Sequence, residues 1–158
     1  MKTFIKILIF CSFLSGKNLL AQEISTFATI EHNNNLLLTI QFKNNSQDKI
    51  ILYRPTTDDF CNGIVVLNFA DNNNQKLHFP CDFLSQIDHK ELRCDNLIHL
   101  AKNEIMILKY SLQISDRIMQ NITKFTLQLN YSDTEFMYDK SNGLLYNGIL
   151  KADGNVSD

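Results

Sequence analysis

Leu36-Leu37-Leu38-Thr39-Ile40-Gln41-Phe42-Lys43 decides how the rest of this chain is read. In an extended backbone successive side chains point to opposite faces. Leu36, Leu38, Ile40 and Phe42 then fall on one face, and Leu37, Thr39, Gln41 and Lys43 on the other. That alternation predicts a strand with one buried face and one wet face. Asn44-Asn45-Ser46 follows as a turn, because Asn tolerates left-handed backbone and bonds its own loop. Working outward, Lys49–Arg54 reads as the next strand, stopped by Pro55, which has no N–H to give a ladder. Ile64–Ala70 and Lys76–Phe79 flank the turn cluster Asp71-Asn72-Asn73-Asn74, and the second is expected to return antiparallel. Ile105–Leu112 and Ile122–Tyr131 alternate in the same way, with Phe125, Leu127, Leu129 and Tyr131 on one face. Ile24–Glu31 and Leu144–Lys151 are expected as outer strands. Helical spacing is weak: Ser85–Leu92 and Ser115–Gln120 each suit one turn behind a serine cap. Seven or eight short strands with regular turns predict an all-β fold, an antiparallel two-sheet sandwich in a single domain over residues 22–158.

The front of the chain differs in character. Residues 1–21, MKTFIKILIFCSFLSGKNLLA, carry Lys2 and Lys6 ahead of a short apolar run from Ile7 to Leu14. This is the layout of a secretory signal peptide, and the run is shorter than the roughly 20 residues a membrane span requires. Cleavage is expected after Ala21, with Gly16 as the alternative. No cysteine stands just after small residues as a lipid anchor would need, so no membrane anchor is expected. All 17 acidic residues lie beyond residue 22, while Lys2, Lys6 and Lys17 precede it. The remaining chain has 12 basic against 17 acidic residues, a formal charge of −5. That balance argues against a nucleic-acid partner.

The order of elements resembles the immunoglobulin-like β-sandwich modules of bacterial secreted and periplasmic proteins. In those modules an early strand ends in Asn-x-Ser, and Leu-x-x-Gly-Glu precedes a long strand. A Gly-x-Tyr strand and a Trp-x-Gly segment come later. Here LLLTIQFKNNS corresponds to the first, and Leu100-Ala101-Lys102-Asn103-Glu104 to the second with Asn in place of Gly. Phe125 with Tyr131 stands for the third, and Tyr146-Asn147-Gly148 for the last with Tyr in place of Trp. The resemblance spans roughly residues 30–150 and implies a fold, which hosts many roles. Three departures stand out. Phe125 lacks the hydroxyl of a tyrosine corner, the chain has no Trp, and it reaches Asp158 where a closing strand is expected. The last edge is therefore expected to be short, open or filled by another segment.

Loss of residues 1–21 removes Cys11 and leaves Cys61, Cys81 and Cys94. In an oxidising compartment three thiols suggest one disulfide and one spare. A hairpin turning at Asn73 sets Cys61 and Cys81 at its open end, which favours that bridge, with Cys94 as the alternative partner. Closing such a loop contributes roughly 3 kcal/mol in the chain-entropy view. His78-x-x-Cys81 is the one tight ligand pair in a stretch that also holds His89 and His99, so a closed zinc site is not expected. Cys94 lies between Arg93 and Asp95, opposite charges that leave no electropositive setting for a thiolate nucleophile. There is no Gly-x-Ser-x-Gly elbow, no phosphate-cradling glycine loop and no EF-hand spacing around Asp58, Asp59 and Asp71. Neither a catalytic site nor a cofactor is expected.

The functional expectation is an exported, non-enzymatic binding or structural module of the cell envelope. Its partner is expected to be another protein of the envelope or extracellular space. The alternative is an inhibitor or immunity protein that blocks a secreted hydrolase or toxin. Two connections are the expected contact surfaces: Arg54–Asn62, with Arg54, Asp58, Asp59 and Phe60, and Cys81–Leu97. Both mix charges with aromatics that read as exposed.

Overall fold

The predicted alternation around Leu36–Lys43 folds as one arm of a long hairpin. In the computed structural model, which describes residues 23–33, 35–60, 63–77, 96–131 and 144–157, β1 (Ile24–Asn33) pairs antiparallel with β2 (Asn35–Asn44) along their full length. The alternate residues Leu36, Leu38, Ile40 and Phe42 are all fully buried, as are Ile24 and Ile30 of β1, and Ala28 between them is nearly so. Six further strands come next, five of them where the sequence places strands and one, Leu97–Leu100, where it places none. They are β3 (Ile50–Tyr53), β4 (Val65–Ala70), β5 (Lys76–Leu77), β6 (Leu97–Leu100), β7 (Ile105–Leu112) and β8 (Lys124–Asn130). β9 (Leu144–Leu145) and β10 (Ile149–Ser157) complete the set. The described chain has a single four-residue α-helix, α1 (Asp116–Met119), just behind Ser115.

Seven strands hydrogen-bond in the order β5-β4-β8-β10-β1-β2-β7, and three in the order β6-β3-β9. Both sheets feed one apolar core. Leu38, Ile40, Tyr110, Leu127 and Leu129 come from the larger sheet, and Ile50, Leu52, Ile98 and Leu100 from the smaller. Burial of this apolar surface is the main term that holds the two sheets together.

The strictly antiparallel expectation fails at two places. β1 runs parallel to β10, with Ile30 opposite Val156, and β3 runs parallel to β9. A parallel pair has no hairpin to announce it, and here it joins the first and last strands of the described chain. Ile24–Glu31 is an interior strand, not an outer one. The expected strand Leu144–Lys151 divides into β9 and β10, which belong to different sheets. β10 is nine residues long and lies between β8 and β1, so it is neither short nor at an edge. Gly154 stands where the ring of Phe125 on the neighbouring strand fills the space. A Cβ on Gly154 would stand 3.0 Å from that ring, an arrangement in which an aromatic covers a glycine of the neighbouring strand.

The turns match the chemistry of their residues. Asp71 Oδ1 accepts from the amides of Asn73 (2.9 Å) and Gln75 (2.8 Å), while Asn74 takes a left-handed φ of 61°. Asn103 takes the same φ, 61°, a left-handed conformation that Asn tolerates better than most residues. Glu104 Oε2 accepts from the Ala101 amide at 2.7 Å and closes that turn.

Asn44 links two of the passages between sheets. It is fully buried, and its Nδ2 donates to the carbonyls of Asp48 (2.8 Å) and Leu100 (3.0 Å). Its Oδ1 accepts from both the amide and the hydroxyl of Ser46, each at 2.8 Å. Its backbone completes the clamp: the amide donates to Glu104 and the carbonyl accepts from Asn103. The β2–β3 and β6–β7 passages are therefore joined through one side chain. Replacing Asn44 by Ala strands the buried Leu100 carbonyl and takes the acceptor from the Ser46 amide, and is expected to destabilise the fold by about 2–4 kcal/mol. Urea unfolding measures this, and Gln47→Ala on the exposed side of the same turn should change stability by less than about 0.5 kcal/mol.

Candidate functional site

Tyr53-Arg54-Pro55-Thr56-Thr57-Asp58-Asp59-Phe60 carries the chain out of β3 and into a single 3-10 turn over Thr57–Phe60. Pro55 ends the ladder, and Asp59 organises the turn beyond it. Asp59 is only 3% exposed, and its Oδ2 accepts from the Thr56 amide (2.6 Å), the Tyr53 hydroxyl (2.9 Å) and the Thr56 hydroxyl (3.0 Å). Two other strands reach the same segment through tyrosines. The Tyr110 hydroxyl of β7 donates to the Pro55 carbonyl at 2.8 Å, and the Tyr131 hydroxyl, just past β8, donates to the Tyr53 carbonyl at 3.1 Å. Phe60 meets Tyr110 edge-on, with centroids 5.3 Å apart.

These phenols resist ionisation. Burial pushes Tyr110 up to about 12, the Arg54 charge opposing and the Asp59 charge assisting. Burial raises Tyr53 further, helped by its hydrogen bond to Asp59 and the charge of that carboxylate. Burial is the leading cause at Tyr131, and it also raises Tyr146, with a smaller push from Glu23. The arrangement is a fully engaged polar brace, and its carboxylate is turned inward, away from solvent.

The four expected contact residues thus separate. Arg54 and Asp58 are exposed, whereas Asp59 and Phe60 are buried and hold the loop from inside. Phe60 is not the exposed aromatic that its loop position suggested, because Tyr110 and the core cover it. Cys61, Cys81 and Cys94 lie outside the described residues, as do His78, His89, the turn at Ser85–Leu92 and residues 1–21. Of Cys81–Leu97 only Asn96 and Leu97 are described. His99 is exposed on β6. Among the described residues no three His, Cys, Asp or Glu side chains gather as metal ligands, and no helix is long and apolar enough to cross a membrane.

A second region went unnoticed in the sequence. β7 is the last strand on its side of the seven-stranded sheet among the described residues. Its residues Ile105–Leu112 oppose Leu36–Lys43 one for one, without a bulge. Leu108, Tyr110 and Leu112 point into the core, and the alternate side chains point out. Two of these outward side chains are large and apolar: Ile105 is 50% exposed and Ile107 52%. Register places Ile107 beside Gln41, and Gln41 beside Phe27, which is 60% exposed. The outward apolar pair was visible in the alternation, but nothing local marks β7 as a terminal strand.

Compared with protein families, with curated proteins and with solved structures, the chain finds no match.

Asp59→Ala removes the carboxylate that accepts from three donors, and is expected to destabilise the fold by about 2–4 kcal/mol. Asp58→Ala, its exposed neighbour, should stay within about 0.5 kcal/mol. Urea unfolding of the pair separates an internal brace from a surface turn. The tyrosines give a pH dependence of definite sign. Below the ordinary phenol value of about 10 they are neutral in folded and unfolded chains alike, and their contribution is complete. Above it the unfolded chain releases protons that the folded chain keeps, so stability falls as pH rises toward 12 and beyond. Tyrosinate absorbance should therefore show Tyr53, Tyr110 and Tyr131 ionising only together with loss of the fold.

Proposed function

We propose that this protein is an exported, non-enzymatic module of immunoglobulin-like sandwich type that binds a protein partner of the envelope or extracellular space along the edge of β7. The observation that carries the reading is the regular eight-residue edge, with Ile105 and Ile107 half exposed on it. Proteins normally blunt such edges with proline, bulges, short strands or charge, because an open ladder recruits other chains. β7 has no proline and no bulge, and Lys109 is its one charged residue. Partners that add a strand to an exposed edge gain main-chain hydrogen bonds for affinity and alternate side chains for specificity. The sandwich assignment is supported by the Asn44-x-Ser46 clamp and by the left-handed Asn103 with its Glu104 tie. Export is supported by the lysines and apolar run of residues 1–14.

The test uses Ile107→Lys, which puts a charge on the edge at an exposed position and should leave the unfolding midpoint unchanged. Wild-type protein incubated with an envelope extract of the source cells is expected to retain a stoichiometric protein partner. That partner should protect the β7 amides from hydrogen exchange, and the variant should lose at least nine-tenths (about 1.4 kcal/mol or more) of the retention. Equal retention by the variant, or protection confined to Arg54–Asp58, would sink the edge reading.

A further inference from the structure

The chemistry of the β7 edge specifies more than a generic partner. Building on the proposal that β7 is the contact edge, we infer that it accepts an extended segment of a different protein, antiparallel to β7, whose outward residues run acidic, apolar, apolar: Glu-x-Val-x-Val or its equivalents.

Three observations lead there. The first is charge. The outward positions of β7 are Ile105, Ile107, Lys109 and Ser111, and those of its neighbour β2 are Asn35, Leu37, Thr39, Gln41 and Lys43. Neither set holds an acid. Lys43 lies directly across from Ile105, and Lys109 across from Thr39. Glu104, just ahead of the strand, has its carboxylate engaged by the Ala101 amide. An edge strand with one outward lysine, a second lysine on the neighbouring strand and no outward acid on either is complementary to a carboxylate, in a molecule whose charge after residue 22 is net negative.

The second observation is order. Directly opposed side chains on one face of a sheet are the pairs that interact. A strand laid antiparallel on β7 meets Lys109, then Ile107, then Ile105 at alternate positions as it runs from its N-terminus. A carboxylate belongs opposite Lys109, and apolar β-branched residues belong opposite the isoleucines. The intervening residues face inward beside Leu108 and Met106, where small or apolar side chains fit.

The third observation weighs against a second copy of this chain. Self-pairing of β7 about a two-fold axis must bring outward residues opposite outward residues. If Ile107 meets itself, Ile105 faces Lys109; if Ile107 meets Lys109, Ile105 faces Ser111. The register that opposes Ile105 to Ile107 overlaps only three residues of each strand before running into the turn at Asn103. No self-register matches the pattern, whereas a foreign strand of the stated sequence matches every position.

The experiment uses the intact protein and two synthetic eight-residue peptides containing Glu-Thr-Val-Thr-Val or Lys-Thr-Val-Thr-Val, with binding read by fluorescence anisotropy and hydrogen exchange. The Glu peptide is expected to bind about tenfold more tightly, as when an attractive cross-strand pair replaces a repulsive one. It should protect the amides of Ile105–Leu112, and Lys109→Glu, an exposed substitution, should reverse the preference. Equal binding of the two peptides overturns the charge assignment and leaves the edge reading standing. Binding of neither overturns both. Concentration-dependent dimerisation that Ile107→Lys abolishes, or binding to anionic phosphatidylglycerol vesicles in place of the peptides, also overturns the inference.

Discussion

The side-chain amide of Asn44 ties together two of the passages between the sheets. A chain that passes repeatedly between sheets exposes backbone carbonyls at every passage, and a buried carbonyl without a donor is costly. Asn44 answers two passages at once, because its amide reaches the carbonyls of Asp48 and Leu100 while Ser46 bonds its oxygen. Its own backbone holds the turn from which β7 starts. The inward phase of β7, and therefore the outward phase of Ile105 and Ile107, begins at that clamp.

At the passage from β3 to β4 the brace is made from tyrosines and one carboxylate. Tyr53, Tyr110 and Tyr131 come from separate strands or strand ends, yet all three hydroxyls converge on Tyr53–Asp59. On β8 the ring of Phe125 covers Gly154 of the neighbouring strand. A loop fixed this firmly presents Arg54 and Asp58 on a rigid base, beside a β7 that ends its sheet among the described residues. Rigidity of the supporting sheet lowers the ordering cost for a segment that adds to it.

Much of this was legible in local sequence. The alternation of Leu36–Phe42, Ile105–Leu112 and Phe125–Tyr131 marks three strands and the direction of their buried faces. Asp71–Asn74 and Lys102–Glu104 mark turns whose left-handed residues are asparagines. β6 was missed because Leu97–Leu100 is four residues without clear alternation, and the end of β10 because Ala152 and Gly154 carry little apolar surface of their own. Asp59 read as a surface turn acid, since nothing in TTDDF says which of two adjacent carboxylates turns inward.

What the sequence by itself determined is the class of the fold, the positions of most strands and the residues that face the core, because side-chain period and turn chemistry are local properties of the chain. Which strands lie next to one another, and hence the parallel β1–β10 pair, the terminal place of β7 among the described residues and the burial of Asp59, was decided only in three dimensions. Those features depend on pairings between residues far apart along the chain, and the free energy that selects them comes from the shared core of two sheets.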